Sequence, residues 1–220
     1  MKTHITFALT VLVLILAFMI GSSYYKGKQA EKIDFLAQEN AELFVRSHSQ
    51  TLGSDDAKVY LIEFMDPACE TCAAFSSFVK QIIVTNPGKI KLVLRYAPFH
   101  EGADYFVKIL EAAKKQGKYW ETLNVMYKTQ PYWTRHHVAQ PDKIWLFLPQ
   151  AGVNVEQIRE DMNDPAIARL IDQDLADAKT LNVRKTPGFF VNGKPLQTFG
   201  SKQLLQLVQS ELDANYPNPN

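Results

Sequence analysis

Hydrophobic and polar positions fall along this chain in blocks of different period, and each block predicts an element. The first, residues 5–20, reads ITFALTVLVLILAFMI and is apolar apart from two threonines. Lys2 precedes it and GSSYYKGK comes after it. Such a run at an N-terminus is a secretory signal or a membrane anchor, separate from the fold. Extended through Tyr24 and Tyr25, it approaches the ~20 residues that span a bilayer, with the tyrosines and Lys26 as an interfacial belt. Gly21 and Ser23 also have the spacing a signal peptidase uses, for a cut before Tyr24. We expect residues 1–25 to act as the anchor, and either reading exports the remainder of the chain. In residues 28–47, Ile33, Leu36, Ala37, Leu43 and Phe44 recur at helical spacing among charges. That predicts one amphipathic helix, a spacer whose apolar stripe caps the domain or pairs with its twin. Residues 47–58, SHSQTLGSDDAK, read as a polar linker, so residues 26–57 form a helix and linker ahead of a domain at 58–215.

From Lys58 the period changes. KVYLIEFM (58–65) is β-branched and aromatic, a buried strand, and KIKLVLRYA (89–97) is a second. Between them Phe75, Phe78, Val79, Ile82 and Ile83 repeat at helical spacing and NPG (86–88) ends the helix. Strand, helix, strand with a short return is the start of an α/β sheet. Residues 102–181 read as a helical block, with helices predicted at 103–116, 119–129, 141–150, 155–161 and 165–181. A strand at 188–191, an Asn192-Gly193 turn and a strand running to 199 form a hairpin. Ser201 then caps a last helix carrying Leu204, Leu205, Leu207, Val208 and Leu212.

Composition adds one bound and two exclusions. In 220 residues, 46% hydrophobic, there is material for one ordinary domain with a core and something extra. A formal net charge of +1 gives no basic surplus for a nucleic-acid footprint. The two cysteines are too few for a disulfide framework.

Those two cysteines, Cys69 and Cys72 in EFMDPACETCAAF, hold the candidate chemistry. The placement puts Cys69 at the strand-to-helix turn. A thiol attacks a disulfide as the thiolate, so a working cysteine needs a lowered pKa and access. Unpaired amides and about half a positive charge at a helix N-terminus supply the first. Two-residue spacing lets the second thiol break a mixed disulfide, so Cys69 is the expected nucleophile and Cys72 the resolving thiol. The competing readings are an inert pair and half of a metal site. A metal needs about four ligands, and His48, His100, His136 and His137 show no zinc-like pairing with the cysteines. YWTRHH (132–137) reads as a surface turn, with a substrate groove as the alternative. His100 reads as a hydrogen-bonded structural residue, and Trp120 and Trp145 as core of the helical block.

CETC after a strand, Glu63 six residues before Cys69, KTPGFFVNG (185–193) and YAPFH (96–100) together resemble the thioredoxin fold. The helical block between its halves makes the chain similar to the DsbA-like thiol:disulfide oxidoreductases. The resemblance implies a buried Glu63 that trades a proton with Cys72, and a cis-proline at Pro187 that faces the cysteines, with Thr186 presenting substrate. It implies no dissociable cofactor, since the cysteine pair carries the electrons. The implied partners are cysteine-containing exported proteins and a membrane redox partner, in an oxidising compartment such as a bacterial periplasm. Ile62 and Phe64 do not by themselves fix which face Glu63 takes, and the competing reading is a strand-edge acid in water. The departure from the family is Glu70-Thr71 between the cysteines, where strong oxidants of the family have Pro-His. A carboxylate beside Cys69 opposes the helix field and Thr71 offers one hydroxyl. Cys69 is therefore expected to ionise below the free value of ~8.5 but above the strongest oxidants. A non-catalytic thioredoxin-fold module that holds metal or partner proteins is the rival of a different class.

Overall fold

Two apolar runs with almost no polar interruption, VYLIEFM and IKLVLRY, can be buried only between two covered faces, and that dictates the middle of the sheet. The computed structural model describes residues 14–22, 24, 41–135 and 138–217. Among these the strands are Gln50–Gly53 (β1), Val59–Met65 (β2), Ile90–Tyr96 (β3), Thr134–Arg135 (β4), Val138–Ala139 (β5), Gly188–Val191 (β6) and Lys194–Pro195 (β7). The α-helices are Glu70–Thr85 (α1), Ala103–Lys115 (α2), Tyr119–Trp133 (α3), Pro141–Ile144 (α4), Val155–Asp161 (α5), Pro165–Thr180 (α6) and Ser201–Asn215 (α7). One sheet has the order β1-β3-β2-β6-β7, and β4 pairs with β5 in a second. β2 runs parallel to β3 and antiparallel to β6. The fold is thus a thioredoxin-like α/β sheet with a helical block, α2 to α6, inserted between β3 and β6.

Side chains alternate across a strand, and β2 divides the core accordingly. Val59, Leu61 and Met65 join α1, α7 and the helical block in the larger cluster. Ile62 and Phe64 join Val93, Ala178, Leu181 and Phe190 in the smaller one on the other face. Glu63 takes the face of Leu61 and Met65. On α7, Leu204, Val208 and Leu212 are buried at successive turns, each worth about 1.5–3 kcal/mol of burial.

The structure corrects several sequence expectations. Residues 50–53, expected within a polar linker, form β1 and pair with β3 in the register Thr51↔Val93. Phe44 is buried against Phe190 at 5.0 Å between ring centroids, so the domain begins ahead of Lys58. The helix expected at 141–150 is broken into α4 and a 3₁₀ turn, Leu148–Ala151. Pro149 has no N–H for the i−4 carbonyl and its ring clashes with that carbonyl, so i−3 bonds take over, from Phe147 to Ile144 (2.9 Å) and Gln150 to Phe147 (3.0 Å). The surface turn expected at 132–137 is half wrong. α3 continues past Pro131 to Trp133, which is fully buried and stacked on Phe106 at 4.1 Å, its Nε1 donating to the Met126 carbonyl (3.2 Å). Tyr132 is exposed, and His136 and His137 lie outside the described residues. Finally, the strand expected to run to residue 199 is only β7. Trp120 and Trp145 are half-buried against the core, as core residues of the block.

At the N-terminus, residues 14–22 are helical, with Leu14, Ile15, Phe18 and Ile20 exposed. Among the described residues no helix is long and apolar enough to cross a membrane. Residues 1–13 of the expected anchor and residues 25–40, which hold most of the expected amphipathic helix, lie outside the described residues.

The segment leading into β1 is fastened by buried charge. Arg95, fully buried on β3, donates from Nη2 to Asp174 and Asp177 at 2.6 Å each, and from Nη1 to the Leu43 carbonyl. Arg46 forks onto Asp177 with two 2.9 Å bonds, and His48 Nε2 meets Asp174 at 2.6 Å. Burial works against ionisation of Asp177, but hydrogen bonds from Arg46, Arg95 and Gln173 hold its pKa below the usual carboxylate value. Its stabilising contribution is therefore complete above the unfolded value of ~3.9 and is lost as pH falls through the lower folded value. Asp174→Ala leaves Arg95 buried without a full set of partners and should cost about 3–5 kcal/mol, read from urea unfolding at pH 7. Asp55→Ala, whose bridge to Lys91 is open to water, should leave the midpoint unmoved.

Candidate active site

β2 ends at Met65, and the next four residues turn the chain into α1. Asp66 organises that turn. Its Oδ1 accepts from the Ala68 N–H (2.8 Å), its Oδ2 accepts from the His100 N–H (2.9 Å) and meets His100 Nδ1 (2.7 Å), and its carbonyl accepts from the Cys69 N–H (3.0 Å). His100 therefore sits where a structural histidine belongs, locking the segment after β3 to the segment after β2. Gln130 of α3 adds a bond from Nε2 to the Pro67 carbonyl (3.0 Å). Asp66, Gln130 and Tyr127 were missed by sequence reasoning. Asp before Pro is a turn signal that could have singled out the first, whereas the other two depend on how α3 packs.

Cys69 occupies the N-cap of α1, with extended backbone (φ −76°, ψ 116°), and its Sγ accepts from the Cys72 N–H at 3.4 Å. The Thr186–Pro187 peptide is cis, and the Thr186 carbonyl accepts from the Cys69 thiol at 3.3 Å. The structure thus brings together Cys69, Cys72, Thr186 and Pro187. Cys69 has 5% of its surface exposed and Cys72 none, and both are free thiols.

Four ionisable groups are displaced, Cys69 downward and the other three upward. The hydrogen bond from the Cys72 thiol is the largest influence on Cys69, followed by burial, which works against it. Bonds from the Thr186 side chain and from the Cys72 and Thr71 backbone amides reinforce the first, and Cys69 is held down at about 5. Thr71 acts here through its N–H, not through the hydroxyl expected from the sequence. Cys72 is pushed well above the thiol range by burial first, then by its bond to Cys69 and by the charges of Glu63 and Cys69. Glu63, 4% exposed, is pushed up to about 8 by burial and then by the Cys69 charge. Tyr127 is raised by burial and by the neighbouring Cys72 and Glu63. Beneath Glu63 lies a cavity of about 20 Å³ lined by Glu63, Lys80, Trp120 and Tyr127, enough for one water.

Glu70 is exposed, and its charge, expected to oppose ionisation of Cys69, is not among the main influences on that thiol. Thr71, also exposed, lines a groove that passes Thr186 and Pro187 and reaches Phe199. Among the described residues no three His, Cys, Asp or Glu side chains gather as a metal site.

A thiol near a helix start, a second thiol behind it and a proton acceptor below can exchange a disulfide. The thioredoxin family matches residues 46–210. The probable disulfide bond formation protein D of Bacillus cereus is 28% identical over 202 residues, covering 88% of each chain. A Na(+)/H(+) antiporter of Herminiimonas arsenicoxydans is 28% identical over 145 residues, but the chain spans only 22% of its length. The thiol-disulfide exchange protein alpha-DsbA2 of Wolbachia pipientis, 18% identical, shares the fold with a TM-score of 0.69 over 83% of this chain and 97% of that one. The chain is thus similar in sequence to a disulfide bond formation protein and in fold to a DsbA-type protein, and with three quarters of its length inside the family match it belongs to the thioredoxin family.

Proposed function

We propose that this protein is an exported enzyme that exchanges disulfides with cysteine-containing proteins through Cys69 and Cys72. The observation that carries the reading is Cys69 at the N-cap of α1, held at about 5 while Cys72 behind it is pushed up. At neutral pH Cys69 is the thiolate and Cys72 the thiol. In the reducing direction Cys69 attacks a substrate disulfide, forming a mixed disulfide and releasing one substrate thiolate. In the mixed disulfide Cys69 carries no charge, so one of the causes that raise Glu63 is gone and its proton is released to water more readily. The carboxylate form of Glu63 then takes the proton of Cys72, which attacks Cys69 Sγ and releases the second substrate thiolate. The pair leaves as a disulfide, two electrons having passed to the substrate. In the oxidising direction the steps reverse, and protonated Glu63 returns the proton to Cys72 as it leaves. A carboxyl with a pKa of about 8 is suited to both transfers.

Thr186 and Pro187 present the substrate. When Cys69 ionises it no longer donates to the Thr186 carbonyl, and that carbonyl becomes available to an extended substrate segment, as in strand addition. Glu70 and Thr71 set the rim of the site. A thiol at about 5 lies between the ~7 of a reducing member of the fold and the ~3.5 of its strongest oxidant. The couple is accordingly intermediate in potential, between about −270 and −120 mV. A membrane redox partner, a quinone-linked oxidase or an electron donor, resets the pair. The apolar residues exposed between Leu14 and Ile20 support a tether to the inner membrane with the domain in the periplasm. After alkaline carbonate extraction the protein should stay with the membranes, and its release would sink the anchor.

Insulin reduction and refolding of scrambled ribonuclease test the activity. Cys69→Ser should abolish both, while Cys72→Ser should accumulate a mixed disulfide that gel analysis without reductant detects. Full activity in the Cys69→Ser variant would instead describe a binding module.

Glu63→Gln should slow the resolving step about 10²-fold and remove a pH dependence centred near 8. The sign of its stability effect is set by the raised pKa. Folding around Glu63 is least costly below its unfolded value of ~4.3, and stability is lost as pH rises from there through about 8. The glutamine variant should therefore gain more in urea midpoint over wild type at pH 8 than at pH 6. Equal gains would show that the acid is not displaced.

A further inference from the structure

Two concavities meet at the cis-proline loop. The first, about 790 Å³, runs from Thr71 past Thr186 and Pro187 to Phe199. The second, about 430 Å³, lies between Phe99, Leu175 and Lys179, and the two share Asn182, Val183 and Arg184. Phe199 and Phe99, one in each, are exposed by 49% and 44%, so the surface offers an aromatic at either end.

Its charge is one-sided. The charged side chains lining the first concavity are Arg184 and Lys185, those lining the second Lys179 and Arg184, and neither is lined by a carboxylate. All three cations are exposed, and among the described residues none is ion-paired with Asp or Glu. Arg184 is oriented by a bond from its Nε to Asn182 Oδ1 (2.8 Å). In a chain whose formal net charge is only +1, this is a local surplus, and it adjoins the reacting sulfur. Lys185 directly precedes Thr186, whose carbonyl is 3.3 Å from Cys69 Sγ. Consecutive Cα atoms are about 3.8 Å apart, so Arg184 and Lys185 lie within one or two residue lengths of that contact. Glu70, the first residue of α1, precedes Thr71 of the groove and is not part of its lining.

We propose that this groove selects extended segments in which acidic residues lie within a few positions of the reacting cysteine, on the side facing Arg184, Lys185 and Lys179. This rests on the proposed disulfide exchange and names the substrate class of the same site. Exposed ion pairs contribute little each, but complementary fields raise the encounter rate and suppress wrong partners.

The experiment uses the full chain, oxidised, with three cysteine peptides that differ only in the flanking residues: glutamate, glutamine or lysine. Rates are compared at equal thiolate concentration, since the flanks alter the peptide's own pKa, and quenched samples are alkylated and weighed by mass spectrometry. At low salt the glutamate peptide should react about five- to tenfold faster than the lysine peptide, and the ratio should fall below about twofold in 0.5 M salt. In R184Q/K185Q the ratio should approach one, and in R184E/K185E it should invert. A wild-type ratio near one overturns the proposal, as does a ratio unchanged in R184Q/K185Q, and the salt dependence of the wild type provides a test that needs no variant. Failure of all three peptides to react overturns the exchange reading itself, and the selectivity with it.

Discussion

The antiparallel pairing of β6 with β2 is the constraint on which the site depends. Phe64 lies opposite Gly188, so the residues just before Gly188 must sit beside the chain just after Phe64. Those are Thr186 and Pro187 on one side and the turn leading to Cys69 on the other. A one-residue slip would turn every side chain of β6 to the wrong face, and Phe189 and Phe190 are buried in opposite clusters. Hydrophobic burial on both faces therefore fixes the 3.3 Å contact between Cys69 and Thr186 from a distance. Gly188 itself belongs to the same constraint. A Cβ there would come within 2.8 Å of Val183 Cγ1 and 3.4 Å of the Lys185 carbonyl, so the loop before β6 folds this closely over its own strand because that position has no side chain.

Once the two segments meet, electrostatics is dictated by burial. One negative charge is tolerated where N–H groups and a neighbouring thiol point at it, and Cys69 takes it. That charge then raises the cost of any other nearby, which is part of why Glu63 and Cys72 hold their protons. In the proposed exchange the same asymmetry biases the cysteine couple. The stability contributed by the Cys69 thiolate is complete above the unfolded thiol value of ~8.5 and is lost as pH falls through about 5. Only the reduced state has that thiolate. At neutral pH the reduced form is therefore favoured over an ordinary dithiol, and the disulfide becomes the more readily reduced.

Much of this was legible in residue order, for reasons that are local. CETC after an apolar strand needs no tertiary information to be placed at a helix start, and Asn192-Gly193 is a turn because of its backbone preferences alone. What escaped was set by neighbours distant in sequence. β1 is polar enough to read as a linker, and pairing with β3 makes it a strand. Trp133 looked like a surface aromatic because it sits in YWTRHH after Pro131. A proline in the last turn removes only one bond, though, and the ring stacks on Phe106, twenty-seven positions earlier in the chain. The face of Glu63 could not be read from Ile62 and Phe64 because both faces of β2 are covered. In a doubly covered strand the question of facing water does not arise, and the acid is buried on either side.

That last point gives the helical insertion a role beyond bulk. The face that Glu63 takes is closed by α3, which contributes Trp120, Leu123 and Tyr127 to the walls of the cavity beneath the acid. The same helix reaches the cysteine turn through Gln130 and Pro67. It is tied to the sheet by Tyr96, whose hydroxyl bonds both Glu111 (2.7 Å) and Tyr119 (3.0 Å). Remove the block and Glu63 would look into water, its pKa would relax toward an ordinary carboxylate, and it would be ionised at neutral pH. In the proposed exchange, a permanently charged group below Cys72 would oppose formation of the resolving thiolate and could no longer return a proton to it. The insertion thus sets the protonation state of a residue on a strand it never joins, and an acid suited to relaying protons near neutrality is a property of the two parts together.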